Sequence, residues 1–357
     1  MMPTGPAAME LPELATPSAA ELLQRVIDAS RECVLVVGSD TRISTSNSAA
    51  IEAFGRGQSS LDGRRLSEIS RDLGLHQAFQ AALTDGASSD LRLEIVSGEG
   101  RKFDVHVSPI ELDGNRAAIG FFHDTTQIER LEHTRQEFLS NISHELRTPL
   151  TSILAFVETL EDGAISDQEN NRRFLGVIRR NAERMHSLID DILELSLIES
   201  GSVSVQFREV RVSSLVEDVF SSLSSKAAAR EIELTNHVPP DALVRADSVR
   251  LEQMITNLVD NAIKFNRRGG TVTVSFDHSE TVDTVSVADT GEGITGDQLG
   301  RIFERFYRAD RARSREIGGT GLGLAIVKHL AKLHGGEVTV TSDLTIGTRF
   351  QLELPAN

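Results

Sequence analysis

The sequence holds a single cysteine, Cys33, so no disulfide can close within the chain, and a metal site built on cysteines lacks its ligands. That thiol lies in the apolar run Cys33-Val34-Leu35-Val36-Val37, where burial is the expected state. One unpaired cysteine fits a reducing compartment. Basic charge is also in short supply. The 37 Lys and Arg residues face 53 Asp and Glu, a formal net charge of -16. Such a chain has no bulk electrostatic reason to hold DNA or an anionic lipid surface. No apolar run approaches the roughly 18 residues of a membrane helix. The first residues lack the basic start and apolar core of a signal peptide. The expectation is a cytoplasmic chain with no membrane segment and no direct nucleic-acid binding. Two phosphate-handling signatures are missing as well. There is no Gly-x-x-x-x-Gly-Lys-[Ser/Thr] loop, and no His-Arg-Asp or Asp-Phe-Gly set. Any ATP chemistry needs another design.

What remains is an ordinary globular balance over 357 residues, with 39% hydrophobic and 25% charged, enough for two or three domains. Pro3, Pro6, Pro12 and Pro17 mark residues 1–18 as a disordered lead. Three folded segments are expected after it: 19–126, 127–201 and 207–357.

The middle segment has the clearest period. Leu139, Ile142, Leu146, Leu150, Ile153, Val157 and Leu160 recur at steps of three and four, one apolar stripe on one helix. Asp162-Gly163 supplies a break. Phe174, Ile178, Met185, Leu188, Ile192 and Leu195 form a second stripe, widened by Ile189 and Leu193. Two long helices joined by a short turn cannot enclose a core alone. A four-helix bundle built by two chains is the simplest solution; a monomeric hairpin packed on another domain is the alternative. His144 points about 160° from the centre of the first stripe at about 100° per residue, so it faces solvent. Thr148 shares that outer face and Glu145 adjoins it. Pro149 cannot donate to the carbonyl of Glu145, so a weak point in the helix is expected there.

The stretch Phe138-Leu-Ser-Asn-Ile-Ser-His144-Glu145-Leu-Arg-Thr148-Pro149-Leu150 resembles the H-box of sensor histidine kinases. The resemblance implies that His144 accepts phosphate, that Glu145 assists the transfer, and that Thr148 positions water for the reverse phosphatase reaction. The chemistry agrees, since a neutral imidazole is a good nucleophile near neutral pH and a carboxylate can orient the ring and take its proton. His133, eleven residues earlier on nearly the same face, lacks that context and reads as a surface residue.

Four further pieces follow in order. On the first, residues 251–266, Leu251, Met254, Ile255, Leu258, Ala262 and Phe265 form the buried face of a helix, with Asn257, Asn261 and Lys264 on its polar side. Asparagine oxygens suit Mg²⁺ and a lysine suits phosphate. Next, Asp289-Thr290-Gly291-Glu292-Gly293 follows the strand-like run Thr284–Ala288, and its aspartate can accept from an exocyclic amine. Ile302-Phe303-Glu304-Arg305-Phe306-Tyr307-Arg308 then leads through Arg311, Arg313 and Arg315 to Gly318-Gly319-Thr320-Gly321-Leu322-Gly323-Leu324. Glycines running into a helix present backbone N–H groups to an anion. Each piece alone has a plain structural reading; in this order they resemble the N, G1, F and G2 boxes of the GHKL ATPases.

That resemblance implies that Asn261 holds Mg²⁺, Asp289 binds the adenine amine, and Lys264 and Arg308 approach phosphates. The expected nucleotide set is Asn257, Asn261, Lys264, Asp289, Gly291, Gly293, Tyr307, Arg308, Gly319, Thr320, Gly321, Leu322 and Gly323. Gly319, Gly321 and Gly323 would hinge a lid over roughly residues 295–320. Leu344 stands where family members often carry glycine, so a slightly altered turn is expected without loss of activity.

The front segment resembles a PAS domain. Val34–Val37, Phe103–Ser108 and Ala117–Phe122 read as strands, Ser46-Asn47-Ser48 as a helix start, and Asp124-Thr125-Thr126 as the ending that feeds a signalling helix. His106 and His123 read as strand residues rather than haem ligands. With the H-box, this half is similar to phosphate-regulon sensor kinases. The implied architecture is multidomain: an α+β PAS-like domain, an antiparallel helical hairpin forming a dimeric four-helix bundle, and an α/β sandwich ATPase domain of GHKL type. The implied partners are a second copy and a response regulator whose aspartate receives the phosphoryl group; the implied small molecules are ATP and Mg²⁺. A nucleotide-binding scaffold, a serine kinase of the same superfamily and a phosphatase-dominant member remain as rivals.

Overall fold

The computed structural model describes residues 19–55, 57–95, 100–112, 114–162, 167–308 and 319–356. The proline-bearing lead, Gly163 and residues 309–318 of the expected lid, with arginines 311, 313 and 315 and Gly318, lie outside them. The chain divides into two compact units, Met1–Gln136 and Glu137–Asn357.

The first unit holds helix α1 (Ala19–Asp28), strands β1 (Cys33–Gly38) and β2 (Ile43–Ser46), helices α2 (Ser48–Phe54), α3 (Leu66–Ile69) and α4 (Leu73–Thr84), and strands β3 (Ser89–Ile95), β4 (Arg101–Leu112) and β5 (Asn115–Asp124). The strands form one antiparallel sheet in the order β2-β1-β5-β4-β3. Strand alternation sorts side chains to its two faces. Leu35, Val37, Phe103, Val105 and Phe122 meet α2 and α4 on one face, while Val34, Val36 and Ile119 meet Ile27 of α1 on the other. Phe54 packs on Phe103 and Phe122 with ring centroids 5.4 and 5.2 Å apart. Asn47 caps α2, its side-chain oxygen accepting from Ala50 N at 3.0 Å. Cys33 is buried, and burial first, then the Asp124 charge, push its thiol up to about 11. His106 and His123 are exposed strand residues that face Asp90 and Glu32.

Helix α5 (Thr126–Glu161) begins at the expected threonine, whose N–H donates to Asp124 Oδ1 at 2.9 Å. It runs through Pro149 without a break, so the expected weak point is not a discontinuity. Helix α6 (Gln168–Glu199) returns antiparallel. Phe156 meets Phe174 at 5.3 Å, and Asn181 Nδ2 donates to Ser152 Oγ at 3.3 Å.

The rest of the second unit comprises β6 (Arg208–Arg211), α7 (Val212–Ala229), β7 (Glu233–Asn236), β8 (Leu243–Ala246), α8 (Ser248–Lys264), β9 (Thr271–His278), β10 (Val282–Asp289), α9 (Gly296–Leu299), α10 (Gly323–Leu333), β11 (Glu337–Asp343) and β12 (Gly347–Pro355). A mixed sheet runs β11-β12-β10-β9-β7, with β7 parallel to β9 and the other pairs antiparallel. Val272, Val274, Val285, Val287 and Leu352 pack on the apolar sides of α8 and α10. This is the expected α/β sandwich. The predicted inward face of α8 is buried at every position except Phe265, which caps the helix C-terminus and is 49% exposed.

The second helical stripe is divided differently from the sequence expectation. Leu188 and Leu195 are buried, with Ile198, in the same core as the α/β sandwich. Ile189, Leu193 and Leu197 stay exposed on α6, as do Leu139, Leu150 and Leu154 on α5. One side of α6 therefore serves the sandwich and another is left for a further partner.

Candidate active site

His144 and Thr148 are exposed on α5. Among the described residues the His144 ring has no hydrogen-bond partner; the Thr148 hydroxyl donates to the His144 carbonyl at 3.2 Å. Glu145 is half-buried and makes no hydrogen bond to the imidazole. Its Oε2 accepts from Arg184 Nη2 of α6 at 3.0 Å and from Arg308 Nη2 at 3.2 Å. The expected ring-to-Glu145 hydrogen bond is thus replaced by a double guanidinium contact in this state. Arg308 also donates to the carbonyl of Gly319. The residue implied for phosphate binding is therefore held between the H-box helix and the start of the glycine run.

On α8, Asn257 Nδ2 reaches the carbonyl of Gly323 at 3.5 Å. Asn261 is half-buried, and its carboxamide has no protein partner among the described residues. An unengaged oxygen donor of that kind fits a hard divalent ion that keeps several waters. Lys264 lies 2.5 Å from Asp260, which Lys226 also pairs at 2.9 Å. Burial works to raise the Asp260 pKa, but the two lysines prevail and hold it below the usual carboxylate range.

Asp289 ends β10. Its Oδ1 accepts from Gly291 N at 2.8 Å and Thr348 N at 3.3 Å, which leaves Oδ2 without a protein partner among the described residues. Burial raises its pKa against those two N–H groups. A half-buried, singly satisfied carboxylate is suited to an amine donor. Gly293 closes the far side with φ +75, and a Cβ there would lie 2.5 Å from the carbonyl oxygen of Asp343. The turn containing Leu344 therefore abuts Gly293, and Leu344 itself points outward, 59% exposed. Asp343 closes this turn, its Oδ1 accepting from Thr345 N at 2.8 Å.

The glycine run is not uniform. Gly321 has φ +73, and a Cβ there would stand 2.9 Å from Phe306 Cα; its carbonyl accepts from Phe306 N at 2.9 Å. A Cβ at Gly319 would meet nothing within 4 Å among the described residues, and Gly323 has only ordinary contacts with Asn257. Conformational need is thus concentrated at Gly321. Leu322 is buried outright, so only its backbone is available to a ligand. Tyr307 packs under Arg301, whose guanidinium carbon lies 4.7 Å from the ring centroid.

Three contributors carried no local signal. Arg184 and Asp191 are polar residues on the face of α6 that also carries the buried Leu188 and Leu195, and they gain meaning only through the fold. Thr348 contributes only a backbone N–H, to Asp289 Oδ1, which no side-chain pattern announces. Asp191 Oδ2 accepts from Thr320 Oγ1 at 2.6 Å, and Glu194 accepts from Arg250. Phe138 packs on Phe306 at 5.8 Å. Helix α6 and the H-box together contact the segment expected to handle phosphate.

Residues 246–357 match the family of histidine kinase-, DNA gyrase B- and HSP90-like ATPases. Residues 134–201 match the His Kinase A (phospho-acceptor) domain, and residues 27–130 match a PAS fold. The sensor-like histidine kinase SenX3 of Mycobacterium tuberculosis is 33% identical over 82% of this chain and 74% of its own length. The sensor histidine kinase WalK of Bacillus subtilis is 37% identical over 69% of this chain, which spans only 40% of that relative. A crystal structure of histidine kinase ThkA in complex with response regulator protein TrrA has the same fold, with TM-score 0.52 at 22% identity over 91% of this chain and 96% of that one. By its domain models and its match to SenX3, the chain belongs to the sensor histidine kinases of two-component systems.

Proposed function

We propose that the chain transfers the γ-phosphoryl group of ATP to His144 and then to an aspartate of a response regulator. The observation that carries this reading is the Arg308–Glu145 contact, which joins the implied phosphate-binding segment to the residue next to an exposed, unpartnered histidine. One ring nitrogen of neutral His144 attacks phosphorus, the bond to the bridging oxygen breaks, and ADP leaves. The proton on the other ring nitrogen passes to or is shared with Glu145. Asp289 and the N–H groups it organises bind the base. Lys264 and Arg308 neutralise phosphate charge once they leave their carboxylate partners. Asn261 holds Mg²⁺, which when bound supplies further neutralisation of the phosphoryl oxygens. The same chemistry run with water placed by Thr148 gives phosphatase activity toward the partner.

In this reading residues 19–126 sense, 127–201 dimerise and carry phosphate, and 207–357 bind ATP, in the cytoplasm. The exposed apolar residues of α5 and α6 support a homodimer. The likeness of the front half and H-box to phosphate-regulon sensor kinases supports a phosphate-starvation signal. Among the described residues no helix is long and apolar enough to cross a membrane.

The test is incubation with γ-labelled ATP and Mg²⁺ beside a His144→Ala variant. Acid-labile, base-stable label on the wild type alone is expected. Label that persists on the variant, or no label on a wild type that binds nucleotide, overturns the reading.

A further inference from the structure

Glu145 is held from two sides, and the two holders differ in what they belong to. Arg308 follows the F-box segment and belongs to the α/β sandwich, so it must part from Glu145 if it is to serve phosphate. Arg184 stands on α6, within the same hairpin as Glu145. The contacts Phe156–Phe174 and Asn181–Ser152 fix those two helices against each other on one side of it. Arg184 therefore stays where it is when the sandwich moves.

We propose that Arg184 is a positioning residue for phosphoryl transfer to His144, acting through Glu145; this rests on the kinase reading above. Its Nη2 donates to Glu145 Oε2 at 3.0 Å, and it makes no other hydrogen bond among the described residues. The pair is only partly exposed, at 24% and 29% of the side-chain surface, so solvent screens it less than an open surface pair. Tying Oε2 across the hairpin restricts the carboxylate's rotamers and leaves Oε1, which has no protein partner among the described residues, free to meet the imidazole once the carboxylate turns. A carboxylate that must take a proton from a ring it also orients gains from such a support, because an unsupported glutamate spreads over several rotamers. Glu145 adjoins His144 in the chain, yet the two do not touch in this structure. Arg184 defines the pivot from which Glu145 turns toward the ring once Arg308 departs.

The role separates from ATP binding, because Arg184 lies on the hairpin and meets the residues implied for the nucleotide only through Glu145, whose Oε2 it shares with Arg308. In the full chain, Arg184→Gln should lower the rate of His144 labelling at saturating ATP by about tenfold or more. The KM for ATP and the affinity for ADP should hold at wild-type values. Arg184→Lys, which keeps the charge but not the planar fork, should recover part of the rate. In a Glu145→Gln background, adding Arg184→Gln should change little, since a residue acting through Glu145 has nothing left to position. Arg184→Met, which keeps the apolar stem, repeats the measurement should the glutamine variant melt early. A labelling rate equal to wild type, or a full further loss in the Glu145→Gln background, overturns the proposal. A wild type that never labels at His144 overturns the kinase reading itself, and the role falls with it.

Discussion

The Thr320 hydroxyl donates to Asp191 Oδ2 at 2.6 Å, joining the glycine run before α10 to the face of α6 that carries the buried Leu188 and Leu195. Asp191 is half-buried, and burial raises its pKa against the opposing Thr320 hydrogen bond. Thr320 stands in the sequence run implied to meet phosphate, as Arg308 does, and each is engaged by a hairpin carboxylate. A nucleotide that needs these donors must displace Asp191 and Glu145 first.

Asp191→Asn should therefore tighten ADP binding. One charge-assisted hydrogen bond is worth about 1.5–3 kcal/mol, so the gain should be about tenfold and at most about a hundredfold. Titration calorimetry on the full chain reads this directly. Unchanged or weaker affinity would show that the Thr320–Asp191 bond does not compete with nucleotide.

Asp289 gives a prediction in pH. Its pKa is raised by burial, so protonation begins above the ordinary aspartate range as the solution is acidified. A protonated carboxyl is a poorer acceptor for the adenine amine, so nucleotide affinity should fall on the acid side, and earlier than an exposed aspartate would dictate. Asp289→Asn should weaken ADP binding by about 10- to 100-fold, the loss of one hydrogen bond to a charged group, and should flatten that acid limb. Parallel acid limbs in the two proteins would assign the pH dependence elsewhere.

Asp247 caps α8, the helix that carries Asn257, Asn261 and Lys264. Its Oδ1 accepts from Val249 N at 3.1 Å and Arg250 N at 3.2 Å, and its Oδ2 from Gln206 N at 3.0 Å. Burial works to raise its pKa, but these N–H groups together lower it. A carboxylate depressed in the folded state stabilises above its unfolded pKa, and that contribution is lost as pH falls through the folded value. Asp247→Ala should cost about 1–2 kcal/mol at neutral pH, as N-cap removals do. The difference from wild type should shrink as urea melts are repeated below about pH 4. A difference that stays constant down that series would mean the carboxylate charge is not what caps the helix.

The local period carried most of the fold. Leu251 to Ala262 alternate as one face of α8 because burial against a sheet follows the helical repeat, and Phe265 escapes it because the helix has ended there. The strand before Asp289 was readable from its β-branched run, and Asn47 from its place before an apolar turn. What the repeat cannot encode is which neighbour covers a face. Leu188 and Leu195 share a stripe with Ile192, yet the sandwich claims them while Ile189 and Leu193 remain open. The same holds at the candidate site. His144, Asp289 and Gly321 are legible as residue types in a pattern, whereas Arg184 and Asp191 are two polar positions among many on α6 until the return of the chain brings Glu145 and Thr320 to them.

The open side of the hairpin yields the last prediction. Ile189, Leu193 and Leu197 recur every four residues along α6 and are 44%, 59% and 53% exposed, while Leu139, Leu150 and Leu154 are 53%, 45% and 54% exposed along α5. Large apolar side chains in rows on both helices point to a partner surface, and a second copy supplies the matching one. In a two-fold interface each residue counts twice. Burying one leucine is worth about 1.5–3 kcal/mol, so a single Leu193→Glu substitution removes at least about 3–6 kcal/mol from association and places two carboxylates in an apolar seam. The dimer dissociation constant should rise more than about a hundredfold. Sedimentation equilibrium should find a dimer for wild type and a monomer for the variant at the same micromolar loading. The Leu193 side chain faces away from the sandwich core, so ADP affinity should be retained. A wild type that sediments as a monomer would leave these rows uncovered by a second copy, and a variant that stays dimeric would place the interface on another face.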